Sequence, residues 1–203
     1  MIKTLIFDFG DVFINLDKKG AMSNALHLFE MTEFEYDMVE TNIKYEVGRI
    51  STSEFIGFYK TKFHHLSEHN IVHAWNFIIK DFPKHRLEFA KQLSKSNKYK
   101  LILLSNTNEM HIDFIKENIS FYNAFKECFD KFYLSHEINL RKPNTDIYEF
   151  VLSEDNLNPE ECLFIDDTKE NTDTAQKLGI HTWNIDETKE DIVNLFEIKK
   201  ELF

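Results

Sequence analysis

The chain has 203 residues, 42% of them hydrophobic, and carries 35 acidic against 24 basic side chains for a net charge of -11. This is enough for one large domain, or for a core with a smaller attached unit, and the negative sign argues against a sequence-independent nucleic-acid binder, which phosphate backbones would repel. Five glycines and three prolines leave little for a flexible linker, and no apolar run is long enough to span a bilayer. Two cysteines, Cys128 and Cys162, fit a reduced intracellular protein rather than a disulfide scaffold, and no basic-then-apolar leader opens the chain. The expectation is a cytoplasmic, monomeric protein that engages neither nucleic acid nor membrane.

The chain opens with a buried strand. Leu5-Ile-Phe7 is an apolar run too short for a helix, and it ends on Asp8 just before Gly10. From Asp17 to about Phe82 the apolar residues fall at helical spacing: Ala21, Ala25, Leu28 and Phe29; Met38, Val39 and Ile43; Phe55, Phe58 and Tyr59; Val72, Trp75, Phe77 and Ile78. Ser51 with Glu54 has the spacing of a capping box. This stretch is too long for a loop and reads as an all-helical unit, residues 17–82, inserted into a core made of residues 1–16 and 83–203.

From Pro83 strands and helices alternate. Pro83 opens a helix to about Ser96, and Lys100–Leu104 is a strand leading into Ser105-Asn-Thr-Asn108 and a helix. Phe132–Leu134 is a short strand followed by Arg141-Lys-Pro143, and Asn144 caps the next helix. Cys162–Ile165 is a strand running into Asp166-Asp167. A helix then stops at Gly179, 181–185 is a last strand and 192–202 a last helix. Such alternation predicts an α/β fold with a doubly wound parallel sheet.

In a parallel sheet the strand ends meet at one edge, where ligands bind. Asp8, Ser105 with Asn106, Lys142, and Asp166 with Asp167 would converge there. Three carboxylates crowded in one crevice need a cation, and an all-oxygen donor set suits Mg²⁺. A hydroxyl, a helix N-terminus and an ammonium suit a phosphoryl group. Asp8 could then act as a nucleophile, giving an aspartyl-phosphate that water releases. His69 and His73 lack a third ligand for a zinc site. Tyr45, Glu46, Gly48, Arg49 and Trp75 of the insert, and His111 one turn into the helix after Asn106, are candidates for substrate contact.

These motifs resemble the haloacid dehalogenase-like (HAD) hydrolase superfamily along the whole chain, helical cap included. Within it, Leu104-Ser-Asn-Thr-Asn108 with His111, Tyr133-Leu-Ser135, Arg141-Lys-Pro143 with Ile147-Tyr148, and Phe164-Ile-Asp-Asp167 resemble the bacterial alpha-D-glucose 1-phosphate phosphatases (the YihX type). The resemblance implies Asp8 as nucleophile and Mg²⁺ ligand, and Gly10 as a ligand through its carbonyl. Ser105 and Asn106 would bind the phosphoryl oxygens, Lys142 would neutralise them, and Asp167 with Asp166 would complete the metal site. The implied substrate is a small phosphorylated metabolite such as glucose 1-phosphate. One departure stands out: the general acid-base aspartate of most HAD phosphatases lies two residues after the nucleophile, where this chain has Gly10. Asp11, one residue further, is expected to point elsewhere on an extended turn and not to substitute. Two rivals remain open, a metal-independent haloacid dehalogenase and a non-catalytic protein that binds a phosphorylated ligand or a protein partner.

Overall fold

The structure is a computed structural model that describes all residues, Met1–Phe203. Five parallel strands form one sheet in the order β3-β2-β1-β4-β5: β1 is Thr4–Phe7, β2 Lys100–Ser105, β3 Lys131–Leu134, β4 Cys162–Asp166 and β5 His181–Asn184. The central strand is the first in sequence and is wholly buried. Because side chains alternate across a strand, each inner strand feeds two cores. Leu5, Phe7, Leu101, Leu103, Leu163 and Ile165 face one cluster, and Ile6, Ile102, Leu104, Cys162 and Phe164 face the other.

Several of the twenty phenylalanines find their role in the larger cluster. Phe7, Phe9, Phe13, Phe82, Phe125 and Phe129 pack there mostly edge to face, the arrangement favoured by ring quadrupoles. Both cysteines are buried and free. The expected last helix is instead broken into a 3-10 turn, the single α-turn Leu195–Ile198 and a second 3-10 turn, which lets Leu195 reach the core while Phe196 and Phe203 stack beside Tyr99. No helix is long and apolar enough to cross a membrane.

Between β1 and β2 lie α1 (Lys18–Leu28), α2 (Tyr36–Glu46), α3 (Thr52–Lys62), α4 (Glu68–Asn76) and α5 (Lys84–Ser96). The first four surround their own apolar cluster of Ala25, Phe29, Met38, Tyr45, Phe55, Tyr59 and Ile71. The Ser51–Glu54 capping box starts α3. On α2 the inward stripe is Met38, Asn42 and Tyr45, with Tyr59 donating a hydrogen bond to Asn42 Oδ1 at 2.6 Å; Val39 and Ile43, expected on the inner face, are exposed. The two chain passages into and out of the four helices run side by side. Backbone bonds join Asn15 to Lys80 and Asp81, and Asp17 to Ile78.

The C-terminal end of α2 is bolted to the loop and short helix that follow β3. The buried Ser135 hydroxyl accepts from Thr107 N–H (2.9 Å) and lies 2.7 Å from Glu46 O. Asn139 Nδ2 donates to Val47 O at 2.8 Å, and Arg141 Nε to Glu46 Oε1 at 2.6 Å. Tyr45 OH accepts from Met110 N–H, in α6 (Glu109–Asn118). Gly48 closes the joint at φ +66°, where a Cβ would lie 2.1 Å from His136 O. No side chain fits there, so Gly48→Ala is expected to lose about 1–3 kcal/mol of folding stability by strain and overpacking. Urea denaturation checks this, and an unchanged midpoint would show that the joint yields freely.

A second tie carries His111. Its Nε2 donates to Trp75 O (3.0 Å) and its Nδ1 accepts from Asn108 Nδ2 (3.2 Å), an arrangement that needs the neutral ring. Burial pushes its pKa down to about 4. Between that value and the ordinary one of 6.5 the unfolded chain takes up a proton that the folded chain refuses, so this tie loses stabilising power as pH falls. The stability advantage of wild type over His111→Gln should therefore shrink between pH 7.5 and 4.5. A gap independent of pH would refute the neutral tie.

Candidate active site

In the register Phe7 pairs with Ile165, so the next residues, Asp8 and Asp166, leave adjacent strands side by side on the same face. Lys142 comes from the loop between α8 (Ser135–Ile138) and α9 (Thr145–Glu154), which pack on that face. Its Nζ sits 2.9 Å from Asp8 Oδ1 and 2.6 Å from Asp166 Oδ2, and its side chain is 1% exposed. A buried ammonium is tolerable only with such partners.

Asp166 has both oxygens committed. Oδ1 accepts from Thr168 N–H (2.8 Å) and Asn171 Nδ2 (3.0 Å), while Oδ2 takes Lys142 and Asn171. Asn171 lies in the first turn of α10 (Lys169–Lys177), and Asn184 from β5 donates to the carbonyls of Asp166 and Asp167. Asp166 thus anchors Lys142. The oxygens left without a protein partner are Asp8 Oδ2 and Asp167 Oδ1.

Asp8, Asp166 and Asp167 each place a carboxylate oxygen within 4.8 Å of the others. Burial pushes the Asp8 carboxyl up to about 7; Lys142 opposes this, and Asp166 and Asp167 add to it. Burial also raises Asp167. Carboxylates this crowded call for a positive charge, and the hard oxygen donors fit Mg²⁺. The turn after Asp8 leaves the Gly10 carbonyl free of backbone hydrogen bonds, available as a further oxygen.

Ser105 is buried, and its hydroxyl has no nearer acceptor than Asn106 O at 3.5 Å, too long for a useful hydrogen bond. Asn106 is placed differently from its expected role. Its carboxamide grips the Lys142 backbone at both ends, with Nδ2 on Lys142 O (2.8 Å) and Oδ1 on Lys142 N (2.9 Å). Its side chain therefore positions the lysine.

A crevice of about 330 Å³ opens between the four helices and the sheet edge, lined by Lys18, Asn42, Glu46, Trp75, Asn108 and His111 among others. A smaller hollow of about 170 Å³, which shares Glu46, Asn108 and His111 with it, reaches Gly10, Ser105 and Asn106. Glu46 and His111 are thus brought to the crevice, Glu46 in its ion pair with Arg141 and His111 with both ring nitrogens engaged. Arg49 is exposed and lines neither space.

Asp11 corrects the expectation of an extended turn. It adopts φ 54°, and this left-handed kink folds its carboxylate back so that Oδ1 accepts from Leu16 N–H (2.8 Å) and Oδ2 pairs with Lys18 Nζ (2.9 Å). Lys18 in turn contacts Asp167 Oδ2. A Cβ on Gly10 would lie 2.6 Å from Leu16 Cδ1, so leucine packing fills the place of the missing second aspartate. Sequence reasoning passed over Lys18 and Asn171. Their only signal is position, one at the start of the helix after β1 and the other in the first turn after the paired aspartates.

The sequence pattern of the haloacid dehalogenase-like hydrolases matches residues 5–185. A D-ribitol-5-phosphate phosphatase of Bacteroides thetaiotaomicron is 28% identical over 192 residues, covering 90% of this chain and 91% of that protein. A crystal structure of a HAD family enzyme from the same organism, a magnesium complex, superposes with a TM-score of 0.84 at 34% identity, covering 96% of this chain and 98% of that one. The same enzyme with magnesium and inorganic phosphate gives 0.81 at 32% identity, over 97% of this chain and all of that one. An L-2-haloacid dehalogenase shares the fold at 14% identity and a TM-score of 0.61, covering 98% and 99% of the two chains. With that pattern matched along most of its length, the chain belongs to the haloacid dehalogenase-like hydrolases.

Proposed function

We propose that this protein is a magnesium-dependent phosphatase acting on the phosphate monoester of a small sugar or polyol, with residues 17–82 as the cap over a core of 1–16 and 83–203. The observation that carries the reading is Lys142, buried between Asp8 and Asp166, in a cluster where Asp8, Asp166 and Asp167 bring carboxylate oxygens within 4.8 Å of one another. The likeness to the ribitol-phosphate phosphatase supports a polyol phosphate, and an open-chain five-carbon ester or glucose 1-phosphate are both candidates for a crevice of about 330 Å³.

Asp8 is the nucleophile. One oxygen forms the new bond to phosphorus, the ester bond breaks, and the leaving oxygen keeps the electron pair of that bond and takes a proton from water to become the alcohol. Lys142 offsets charge on the phosphoryl oxygens and holds Asp8 in line, and the Ser105 hydroxyl donates to one of those oxygens. Asn106 acts by fixing Lys142. Water then attacks the aspartyl-phosphate at phosphorus, releasing phosphate and restoring Asp8. Mg²⁺, held by Asp8, Asp167 and the Gly10 carbonyl in the frame that Asp166 sets, would supply neutralisation of phosphoryl charge. The paired carboxylates Asp166 and Asp167 argue against the dehalogenase, whose anionic substrate they would repel without a metal. Glu46 is proposed to face the substrate's hydroxyls. No contact supports the same role for Arg49.

Phosphate release from sugar phosphates, polyol phosphates and para-nitrophenyl phosphate is expected to require Mg²⁺, to stop with EDTA and to fall by on the order of 10³-fold in Asp8→Asn. Metal-independent release, or a variant as active as wild type, would contradict the reading. Burial pushes the Asp8 carboxyl up to about 7, so it is partly protonated near that pH in the metal-free protein and Mg²⁺ binding should expel the proton. Calorimetric enthalpies of Mg²⁺ binding at pH 6.5 should then vary with the ionisation heat of the buffer, and affinity should weaken as pH falls below about 7. Enthalpies identical in all buffers would show that Asp8 is already ionised.

A further inference from the structure

The group that meets the leaving oxygen has no residue at its usual place, because Gly10 and the packed Leu16 side chain occupy it. The polar groups lining the crevice are few. His111 has both ring nitrogens engaged, and Asn108 spends its carboxamide on His111. Glu46 is an anion paired with Arg141, and Asn42 accepts from Tyr59 within the cap. Lys142 is buried beneath the carboxylates. Lys18 is the one cation lining the crevice, on the first turn of α1 where the chain enters the cap.

Its ammonium is aimed by the sequence around it. Asp11 Oδ2 holds it at 2.9 Å, and Asp11 is itself fixed by Leu16 N–H and the left-handed turn. The second contact, Asp167 Oδ2, belongs to the cluster whose oxygens lie within 4.8 Å of one another. Lys18 therefore contacts a carboxylate that neighbours Asp8, and it also lines the crevice.

We propose that Lys18 is a catalytic residue that donates a hydrogen bond to the bridging oxygen of the substrate and stabilises its charge as the ester bond breaks, in place of the absent acid. The inference rests on the phosphatase reading above. Lys18 keeps its proton throughout. The leaving oxygen retains the electron pair of the broken bond and takes a proton from a crevice water, and the hydroxide so formed is consumed in hydrolysing the aspartyl-phosphate. Asp11 is a positioning residue.

A fixed charge at the leaving oxygen matters most when that oxygen is strongly basic. Lys18→Met should lower kcat/KM for a polyol or alkyl phosphate by roughly 100-fold, but for para-nitrophenyl phosphate, whose leaving group is weakly basic, by about tenfold or less. Lys18→Arg should restore most of the alkyl activity. Asp11→Asn should retain more than about a hundredth of it, with the same leaving-group bias as Lys18→Met. Calorimetric Mg²⁺ affinity of Lys18→Met should equal or exceed that of wild type, because a cation competing for Asp167 is gone. Equal losses on both esters, or a loss that tracks weakened Mg²⁺ binding, would overturn the role of Lys18 and leave the phosphatase intact. A wild type that binds Mg²⁺ and phosphate yet cleaves neither ester would overturn both.

Discussion

The buried ammonium of Lys142 is the constraint on which the site depends. A lysine almost wholly withdrawn from water is costly unless carboxylates meet it, and it meets two, from the two strands that lie side by side at the centre of the sheet. Each neighbour then needs its own support. Asn171 and the Thr168 amide saturate Asp166, and the Asn106 carboxamide fixes the Lys142 backbone. What remains without a protein partner is one oxygen each of Asp8 and Asp167. The protein completes its inner charge pairs and leaves crowded carboxylates that a divalent cation would balance.

The four-helix unit is held beside this centre. Side-chain bonds from Ser135, Asn139 and Arg141 to the end of α2, the glycine contact at Gly48, and the His111–Trp75 tie leave that flank of the helical unit little freedom. These ties hold side chains that line the crevice, Glu46 and His111 among them. Glu46, paired with Arg141, is the group that on the proposed reading would accept from substrate hydroxyls. The cap also reaches the chemistry at its opposite flank, where Lys18 crosses to Asp11 and Asp167.

Much of this was legible in the chain itself. Short apolar runs bounded by polar residues marked the buried strands, and alternation with helices gave the parallel sheet. Parallel strands bring their ends to one edge, so Asp8, Ser105, Lys142, Asp166 and Asp167 could be gathered before any geometry was known. Local chemistry read equally well at Ser51–Glu54. Where the sequence misled, the deciding interaction was tertiary. Val39 and Ile43 look like an inner stripe, but α2 turns Asn42 inward to meet Tyr59 instead. The tail looks like one helix, yet its aromatic residues break it to stack on Tyr99. Asp11 read as an outward turn residue because a left-handed aspartate cannot be told from an extended one by composition, and Lys18 went unseen because nothing in its neighbourhood distinguishes it from Lys19. Asn106 has the right address for a phosphate ligand, but its amide is claimed by the lysine opposite.

The most direct test of the account is chemical capture of its covalent intermediate. Turnover of para-nitrophenyl phosphate with Mg²⁺, quenched in acid and followed by peptide mass mapping, should place one phosphoryl group on Asp8. A phosphoryl group on any other residue, or an unmodified Asp8 under conditions where a burst of para-nitrophenol shows that an intermediate accumulates, would contradict it.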